Sequence, residues 1–403
     1  MNRLPERWLL VLLAAVQFTH IMDFMVMMPL GPQLMRELAI SPESFSHIVA
    51  AYSITAGVVG LLAAPFIDRF DRKKLLLTTY AGFVFGTLSV ALSHTSGALL
   101  VSRAICGGFG GVSGSLVLAL VGDLVPPERR ASGMGIVMTA FAVAAAVGVP
   151  VGLFLAQRFV WETPFFLLAG LSAVTWLLIL KGLPAIPRAV HVDPAAQRAA
   201  FGRLLRDTNA GRALLFMAAL ILGHFAIIPF LAPYLVNNVG LDEKHLFLIY
   251  LVGGVCTVVT SPLVGKLADK FGRFRVFSVL AVVASIVTFS LTHGGRKPLW
   301  AILLEAACFF VFASGRFVPA QAMMSLAVAP SQRGAFMSLT SCTRDFVAGA
   351  SAGAIGLVVK KAPDGSLLHM NWLGWIAVAA AALSVWLASR VMVKDQSGQT
   401  AAP

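Results

Sequence analysis

Charged residues are scarce in this sequence. Only 12% of the 403 residues are charged and 58% are hydrophobic, whereas an average soluble domain has about 25% charged and 45–50% apolar residues. Two or three soluble domains, which the length alone would allow, need about twice as many charges to cover their surfaces. The composition therefore excludes a water-soluble fold and indicates a protein that lies in the lipid bilayer.

Cysteines are also few, and the sequence lacks the common motifs of enzyme chemistry. The four cysteines lie inside apolar runs, without the spacing of a disulfide framework or of a Cys/His zinc site. There is no Walker loop, G-x-S-x-G elbow or H-E-x-x-H motif. The glycines of 108–114 have nucleotide-loop spacing, but they follow no strand. We therefore predict a protein that is not an enzyme and has no metal or other cofactor.

Apolar runs of about 20 residues recur along the chain, each long enough to cross the roughly 30 Å hydrocarbon core of a bilayer. They predict an all-α membrane protein with twelve spans. The one long connection, 184–211, is rich in Pro, Ala and Arg, and we interpret it as a cytoplasmic linker between two six-span domains, 1–183 and 212–403. The predicted spans 1 to 12 are 8–30, 45–66, 75–94, 97–121, 134–157, 163–183, 213–236, 245–266, 274–292, 299–327, 334–359 and 370–393.

Lysine and arginine fall mostly between the apolar runs and give a formal charge of +13. They form no basic stripe interleaved with aromatic residues, so we predict no nucleic-acid partner. Of these 31 residues, 21 lie near the two termini or in the connections on the same side as the termini. Seven lie in the connections on the other side, and three lie within spans. By the positive-inside rule, this asymmetry predicts a multi-pass protein of a bacterial inner membrane with both termini in the cytoplasm.

The two halves of the chain carry related segments after their second spans. Segment 64–73 reads APFIDRFDRK, and segment 265–274 reads GKLADKFGRF. A carboxylate at a helix end, followed by a turn and a basic cluster, can fix the turn through charge-assisted hydrogen bonds to a neighbouring helix end. The residues that make up this repeat are Asp68, Arg69, Arg72, Gly265, Asp269, Gly272 and Arg273.

These segments resemble the loop G-x-L-A-D-x-x-G-R, the hallmark of the major facilitator superfamily, which follows spans 2 and 8 in that family. The second copy matches well, whereas the first has Ala64 and Asp71 where glycines are usual. The resemblance covers essentially the whole chain. It implies the major facilitator fold, in which two pseudo-symmetric six-helix bundles rock about a central cavity and the two loops latch the cytoplasmic side.

Spans 4 and 5 carry two further motifs that are similar to patterns of this family. Span 4 has Arg103 four residues before Gly107, and span 5 has Gly148, Pro150 and Gly152 in the form G-x-P-x-G. Small residues let helices approach closely, and proline removes a backbone hydrogen bond so that a span can bend. The span 5 motif resembles the antiporter motif of bacterial drug:proton antiporters and of sugar exporters of the arabinose-exporter type. It implies export driven by a proton gradient.

Ionisable groups inside apolar spans are functional hypotheses, because each costs several kcal/mol unless it is paired or hydrated. Asp23 in span 1 and Arg103 in span 4 lie at a similar depth, since Asp23 is about 22 Å from the cytoplasmic end of its span. In the resembled family spans 1, 4, 7 and 10 line the cavity, so we predict that the two side chains meet there. Protonation of Asp23 would release Arg103 or a cationic substrate. His20, one turn earlier, is either a proton relay or a polar packing residue.

The second half offers its own set of charges. Glu305 and Arg316 of span 10 are separated by about 1100° of helical rotation, which predicts that they share one face. If that face lines the cavity, Glu305 is a second proton site, with a hydrated carboxylate near the outer end as the alternative. Arg316 lies at the depth of Asp345 in span 11, which follows Arg344, so we predict that Arg316 and Asp345 can pair, for structure or for function.

Three more side chains are candidates for contact with a substrate. His224 of span 7 precedes two prolines that interrupt the backbone hydrogen bonds where a cavity helix can bend, although a neutral core histidine is the alternative. Phe18 and Met22 of span 1 offer a soft wall for an apolar substrate. Ordinary packing and lipid contact are the alternative for these two.

The combined reading is a monomeric, proton-coupled secondary transporter that exports small amphipathic organic compounds, drug-like or metabolic, by alternating access. Its predicted partners are the substrate, protons and the lipid bilayer. A sugar exporter, a lysophospholipid transporter and a membrane sensor that moves no cargo are the alternatives. The aromatic content of 10% and the 14 methionines favour an apolar substrate over a sugar.

Overall fold

The computed structural model is almost entirely helical, which confirms the predicted fold class. The predicted linker, 184–211, lies mostly outside the described residues, so the division of the chain at that segment stays a prediction. The structure describes the chain except for residues 1–4, 64–69, 127–128, 185–201, 203, 205, 330–331, 395–399 and 402–403.

Among its described residues the first half contains six long helices, and a short helix, Gly31–Glu37, follows the first of them. Span 5 is continuous but includes one π-helical turn, Ala144–Gly148, between its two α-helical parts. The observed bounds are Glu6–Met27 for span 1, Pro42–Ala63 for span 2, Arg72–Ala91 for span 3, Ser96–Leu124 for span 4, Arg130–Val143 and Val149–Arg158 for span 5, and Thr163–Gly182 for span 6.

In the part of the second half that the structure describes there are six further long helical segments, two of which are broken near their middle. Two short antiparallel strand pairs accompany them, Lys360–Lys361 with Leu367–Leu368 and Val393–Lys394 with Thr400–Ala401. The observed bounds are Thr208–Phe225, Ile228–Tyr234 and the π-helix Leu235–Val239 for span 7, Leu246–Phe271 for span 8, Arg273–His293 for span 9, Leu299–Phe309, the π-helix Phe310–Ser314 and Phe317–Leu326 for span 10, Arg333–Val358 for span 11, and Met370–Ala388 for span 12.

Eleven of the twelve predicted spans are confirmed, within the described residues, as helices long and apolar enough to cross a membrane. Span 11 is the exception. It is a helix of 26 residues, but Arg333, Arg344 and Asp345 and several hydroxyl side chains make it less apolar than the others. It packs along span 2 of the first half and against span 7. Protein contact therefore covers much of its surface.

Helix ends follow from local sequence. Spans 3, 4 and 7 begin after Asp71, Thr95 and Asp207, whose side chains accept hydrogen bonds from backbone N–H groups of the first turn. Spans 8 and 9 are separated by Gly272, which has φ +93°, a conformation that residues with a Cβ rarely adopt. The glycine that the sequence repeat singled out is therefore required by the backbone of this tight turn.

The two halves do not pack together evenly along their length. We call the side at which span 1 begins the basic face, because the Lys/Arg-rich connections lie there, and the opposite side the far face. One large apolar core includes second-half residues together with first-half residues from the middle and the far face. A separate core, which contains Leu13, Tyr80 and Val121, holds only first-half residues near the basic face. The halves thus share a core toward the far face.

Glycines allow the closest helix contacts of the first half. A Cβ placed on Gly107 of span 4 would overlap the carbonyl oxygen of Tyr52 in span 2. Its neighbour Gly108 differs, because a Cβ there would meet only Val59 at 3.5 Å, an ordinary van der Waals distance. Close approach of spans 2 and 4 therefore depends on Gly107 and not on Gly108.

This contrast gives a test with a matched control. We expect Gly107→Ala to lower the free energy of unfolding by about 1–3 kcal/mol, because a packed backbone has to move. Gly108→Ala is expected to leave stability unchanged or to raise it by about 0.5–1 kcal/mol, since alanine is the better helix former. Thermal unfolding of the purified protein in detergent measures both. Equal effects of the two substitutions would contradict the packing argument.

Candidate functional site

Asp23 and Arg103 form an ion pair in the interior of the first half. Nη1 of Arg103 lies 2.6 Å from Oδ2 of Asp23. The Arg103 side chain is 1% exposed and the Asp23 side chain is 0% exposed. The same Nη1 donates to the Asp23 carbonyl oxygen at 3.2 Å, and the Thr87 hydroxyl donates to Oδ1 at 3.3 Å. Buried charges of this kind persist only when each has a partner. The predicted contact between Asp23 and Arg103 is confirmed, and their place in a substrate cavity stays a prediction.

Tyr52 of span 2 completes this charge site. The Arg103 guanidinium carbon lies 4.4 Å from the centre of the Tyr52 ring, within the range of a cation–π contact. The Phe24 ring packs against Tyr52, with the two ring centroids 5.3 Å apart. Sequence reasoning missed Tyr52 and Thr87, because both are neutral and the search was for ionisable groups in apolar spans.

His20 lies beside the ion pair, but it makes no hydrogen bond to it among the described residues. Its ring is 6.0 Å from Tyr52 and 6.1 Å from Phe83, measured between centroids. Neither ring nitrogen has a hydrogen-bond partner, and the same holds for Oε1 of Gln17, one turn earlier on span 1. The His20 ring and Gln17 Oε1 lie against the glycines of span 4, since a Cβ on Gly114 would be 3.5 Å from the ring and 3.7 Å from the oxygen. Polar atoms without partners therefore lie beside the ion pair, inside the first half.

The predicted pair between Arg316 and Asp345 is wrong. Asp345 instead accepts a hydrogen bond from Nε of its neighbour Arg344 at 3.0 Å, and Nε of Arg316 donates to the Ala313 carbonyl oxygen at 3.2 Å. A similar depth along two helices does not determine which way each side chain points, and each of these two finds a partner on its own helix.

Glu305 is also placed differently from its prediction. Its carboxylate pairs with Nζ of Lys297 at 2.7 Å and accepts a hydrogen bond from the Ser290 hydroxyl at 2.6 Å, near the far face. The π-helix Phe310–Ser314 lies between Glu305 and Arg316, so the rotation counted for a regular α-helix does not apply to them. A π-turn holds an additional residue and shifts the rotation of everything after it.

Phe18 and Met22 contact the glycines of the span 5 motif. A Cβ on Gly148 would lie 2.6 Å from Sδ of Met22 and 3.4 Å from the Phe18 ring, and a Cβ on Gly152 would lie 2.8 Å from Cε of Met22. Met22 is 5% exposed. Its predicted role in a cavity wall is therefore replaced by packing between spans 1 and 5. Pro150 follows the π-helix of span 5 and begins the next α-helical part.

The repeated loops lie at the basic face. Asp68 and Arg69 are outside the described residues. Nη1 of Arg72 pairs with Oδ2 of Asp123 at 2.7 Å, which joins the start of span 3 to the end of span 4. In the second copy Asp269 lies 3.9 Å from Arg273, and Gly265 precedes them on span 8. This second pair is largely exposed, so its contribution to stability is small.

The far face is closed by contacts that the sequence analysis did not identify. Nη1 of Arg36, in the short helix after span 1, lies 2.7 Å from Oε2 of Glu243 at the start of span 8. Nε2 of Gln157 donates to the backbone carbonyl of Glu243 at 2.7 Å. Beneath them, Phe45 and Phe230 pack edge to face at 6.3 Å. These contacts join the first half to the second, and we call the Arg36–Glu243 pair the far-face latch.

Opening of the far face is expected to depend on this latch. The two side chains are 58% and 25% exposed for Arg36 and Glu243, so the pair contributes at most about 1 kcal/mol and breaks readily. Arg36→Glu places two carboxylates together. We expect it to raise the population of a far-face-open form by up to about fivefold. The double exchange Arg36→Glu with Glu243→Arg should reverse the change.

Spin labels at Phe159 and Lys361, exposed far-face positions of opposite halves, report this opening as a longer distance in double electron–electron resonance. The labels require a background without the four native cysteines. An Arg36→Glu distance distribution identical to that of the unsubstituted protein would show that the pair does not hold the far face closed.

Comparison with known proteins identifies a matching family model and similar proteins that carry the same family name. The family model described as Major Facilitator Superfamily matches residues 13–354. The chain is 26% identical over 345 residues to the uncharacterized MFS-type transporter YceJ of Bacillus subtilis (strain 168), with 85% of each chain covered. It is 25% identical over 383 residues to YtbD of the same organism, an uncharacterized MFS-type transporter, with 90% of each covered.

Solved structures show the same fold at low sequence identity. A D-xylose–proton symporter matches with a TM-score of 0.79 and 17% identity, covering 97% of this chain and 99% of the symporter. The nucleoside transporter NupG matches with a TM-score of 0.71 and 13% identity, covering 96% of this chain and 100% of NupG. At these identities the similarity concerns the fold and not the substrate.

Proposed function

The chain belongs to the Major Facilitator Superfamily, and we propose that it is a proton-coupled secondary transporter that exports small amphipathic organic compounds by alternating access. The observation that carries this proposal is the Asp23–Arg103 ion pair, buried inside the first half and hydrogen-bonded by Thr87. In a membrane interior such a pair is costly to retain unless it has a function.

A proton can switch this pair between two states. Protonation of Asp23 removes its negative charge and leaves the buried Arg103 with neutral partners, which are the Asp23 carboxyl group, the Asp23 carbonyl oxygen and the Tyr52 ring. An uncompensated charge in such surroundings is unfavourable by several kcal/mol. The protein then favours whichever conformation hydrates Arg103 or supplies it with another partner. Proton binding and conformational change are coupled through this single carboxylate.

The closed far face corresponds to one end state of the alternating-access cycle in the proposal. The first-half core near the basic face is separate from the core that the two halves share, whereas the far face is held by Arg36, Glu243 and Phe45. The basic face carries the excess of Lys and Arg, so we assign it to the cytoplasm. In a form that is closed on the far side, an exporter loads its substrate from the cytoplasm and an importer releases its substrate there, so the export direction rests on the span 5 motif.

A sugar exporter is the second candidate function. The partnerless polar atoms of Gln17 and His20 favour it, because they offer hydrogen bonds that the hydroxyl groups of a sugar can accept or donate. The aromatic rings around them, Phe24, Tyr52 and Phe83, favour the amphipathic compound instead.

Loss of the carboxylate gives the direct test. In proteoliposomes with an imposed pH gradient, a panel of dyes, sugars and lysolipids is screened for substrate-dependent proton release. We expect Asp23→Asn to abolish that proton flux, because the titrating group is gone, while substrate binding persists. Arg103→Ala is expected to impair both flux and binding. The double variant Asp23→Asn with Arg103→Gln removes both charges and guards against misfolding caused by an unpaired arginine.

Glu305→Gln is the matched control, because it also neutralises a carboxylate within a span. The Glu305 carboxylate is paired with Lys297 near the far face, away from the proposed proton site. We expect Glu305→Gln to retain substrate-dependent proton flux. Unchanged transport by Asp23→Asn across a range of pH would refute the proton site. Binding without gradient-dependent flux in the unsubstituted protein would favour a sensor over a transporter.

A further inference from the structure

Arg316 of span 10 is a buried cation without a carboxylate partner among the described residues. Its exposed fraction is 4%, and its side chain donates one hydrogen bond, from Nε to the Ala313 carbonyl oxygen. A guanidinium remains charged at neutral pH and carries five N–H donors. Its two Nη groups therefore have no protein acceptor within the part of the chain that the structure describes.

No described carboxylate of the second half is free to neutralise Arg316. Each one that follows residue 212 has another partner, either a basic side chain or the first N–H groups of a turn. The partners are Lys244 N–H for Asp242, Arg36 for Glu243, Arg273 for Asp269, Lys297 for Glu305, Arg344 for Asp345 and Ser366 for Asp364. In the first half Asp23 is neutralised by Arg103. The buried interior thus keeps one positive charge in excess, at Arg316.

Arg316 lies at a break in its span, and a second break lies beside His224. Span 10 changes at Arg316 from the π-helix Phe310–Ser314 to the α-helix Phe317–Leu326. The first helix of span 7 ends at Phe225, next to His224. Irregular backbone at membrane depth is tolerated where it lines a cavity or is buried in protein, and broken helices in transporters surround bound ligands.

Aromatic rings surround His224 on several sides. The His224 ring stacks on Phe309 at 6.3 Å with an interplanar angle of 6°, and it meets Phe317 edge to face at 5.2 Å. Its Nδ1 atom is buried without a hydrogen-bond partner. Phe317, the ring at 5.2 Å from His224, directly follows Arg316 in the chain. A second hydrogen-bonding group without a partner therefore lies near the unpaired cation, among apolar rings.

We propose that this set of residues binds an organic monoanion, with the carboxylate of the ligand on the Nη groups of Arg316 and its apolar body against Phe317. His224 supplies a further hydrogen bond to the acid group. This inference rests on the proposed transport function and specifies its substrate class. One guanidinium and no second cation match a single negative charge, and the fork of two Nη groups matches a planar carboxylate.

The experiment measures binding at equilibrium, without any gradient. The protein is placed in nanodiscs of zwitterionic lipid and titrated calorimetrically with benzoate, 2-naphthoate and indole-3-acetate, with empty nanodiscs subtracted. Each carboxylate is compared with its neutral amide and with a primary amine on the same ring system. We expect at least one carboxylate to bind about 10- to 100-fold more tightly than its amide, the range of a charge-assisted hydrogen bond. We expect the amine to bind more weakly still.

Three variants test the role of the guanidinium. Arg316→Gln is expected to remove the preference for the carboxylate while it leaves the affinity for the amide unchanged. Arg316→Lys should retain part of the preference, because it keeps the charge but loses the bidentate geometry. Arg296→Gln removes an exposed arginine of the far face and should behave as the unsubstituted protein.

Two results would overturn the proposal. One is the absence of saturable carboxylate binding in the unsubstituted protein, or equal binding of carboxylate and amide. The other is an unchanged carboxylate preference in a folded Arg316→Gln variant, which would make Arg316 a structural residue of the helix break. Binding is measured without a gradient, so failure of proton coupling at Asp23 leaves this test intact. Loss of the carboxylate preference likewise leaves the proton flux test intact.

Discussion

The cost of a charge inside a lipid bilayer governs the rest of this structure. Asp23 and Arg103 lie in different spans and come within 2.6 Å of each other because neither tolerates that interior alone. Thr87 and Tyr52 add a hydrogen bond and a ring face to the same pair. The pair in turn requires spans 1, 2, 3 and 4 to approach closely. The small residues of span 4, Gly107 above all, make that approach possible.

The two halves meet this constraint in different ways. The first half neutralises its buried charge internally, between helices that are continuous through the site. The second half leaves Arg316 without a protein anion, at the place where span 10 changes its helical geometry. A proton-coupled transporter needs one group that exchanges a proton and another that holds the cargo. In our proposals Asp23 has the first role, and Arg316 with His224 has the second.

Much of the fold follows from one-dimensional properties of the sequence. Apolar length predicted the spans, and eleven of them are confirmed by length and apolarity. Depth along a span increases by about 1.5 Å per residue, so Asp23 and Arg103 could be matched before their contact was seen. Gly272 was recognised from a repeated segment, and its backbone proves to need φ +93°. In each case a count of residues along one helix or one loop was sufficient.

Composition and spacing thus determined the fold class, the family resemblance and one ion pair. Only the tertiary structure decided that Asp345 pairs with Arg344, that Glu305 pairs with Lys297, and that Arg36 and Glu243 close the far face. These contacts depend on how each helix is rotated about its axis and on which surfaces of the two halves meet. A single π-turn in span 10 changes that rotation, and no count of residues along the sequence reveals where such a turn forms.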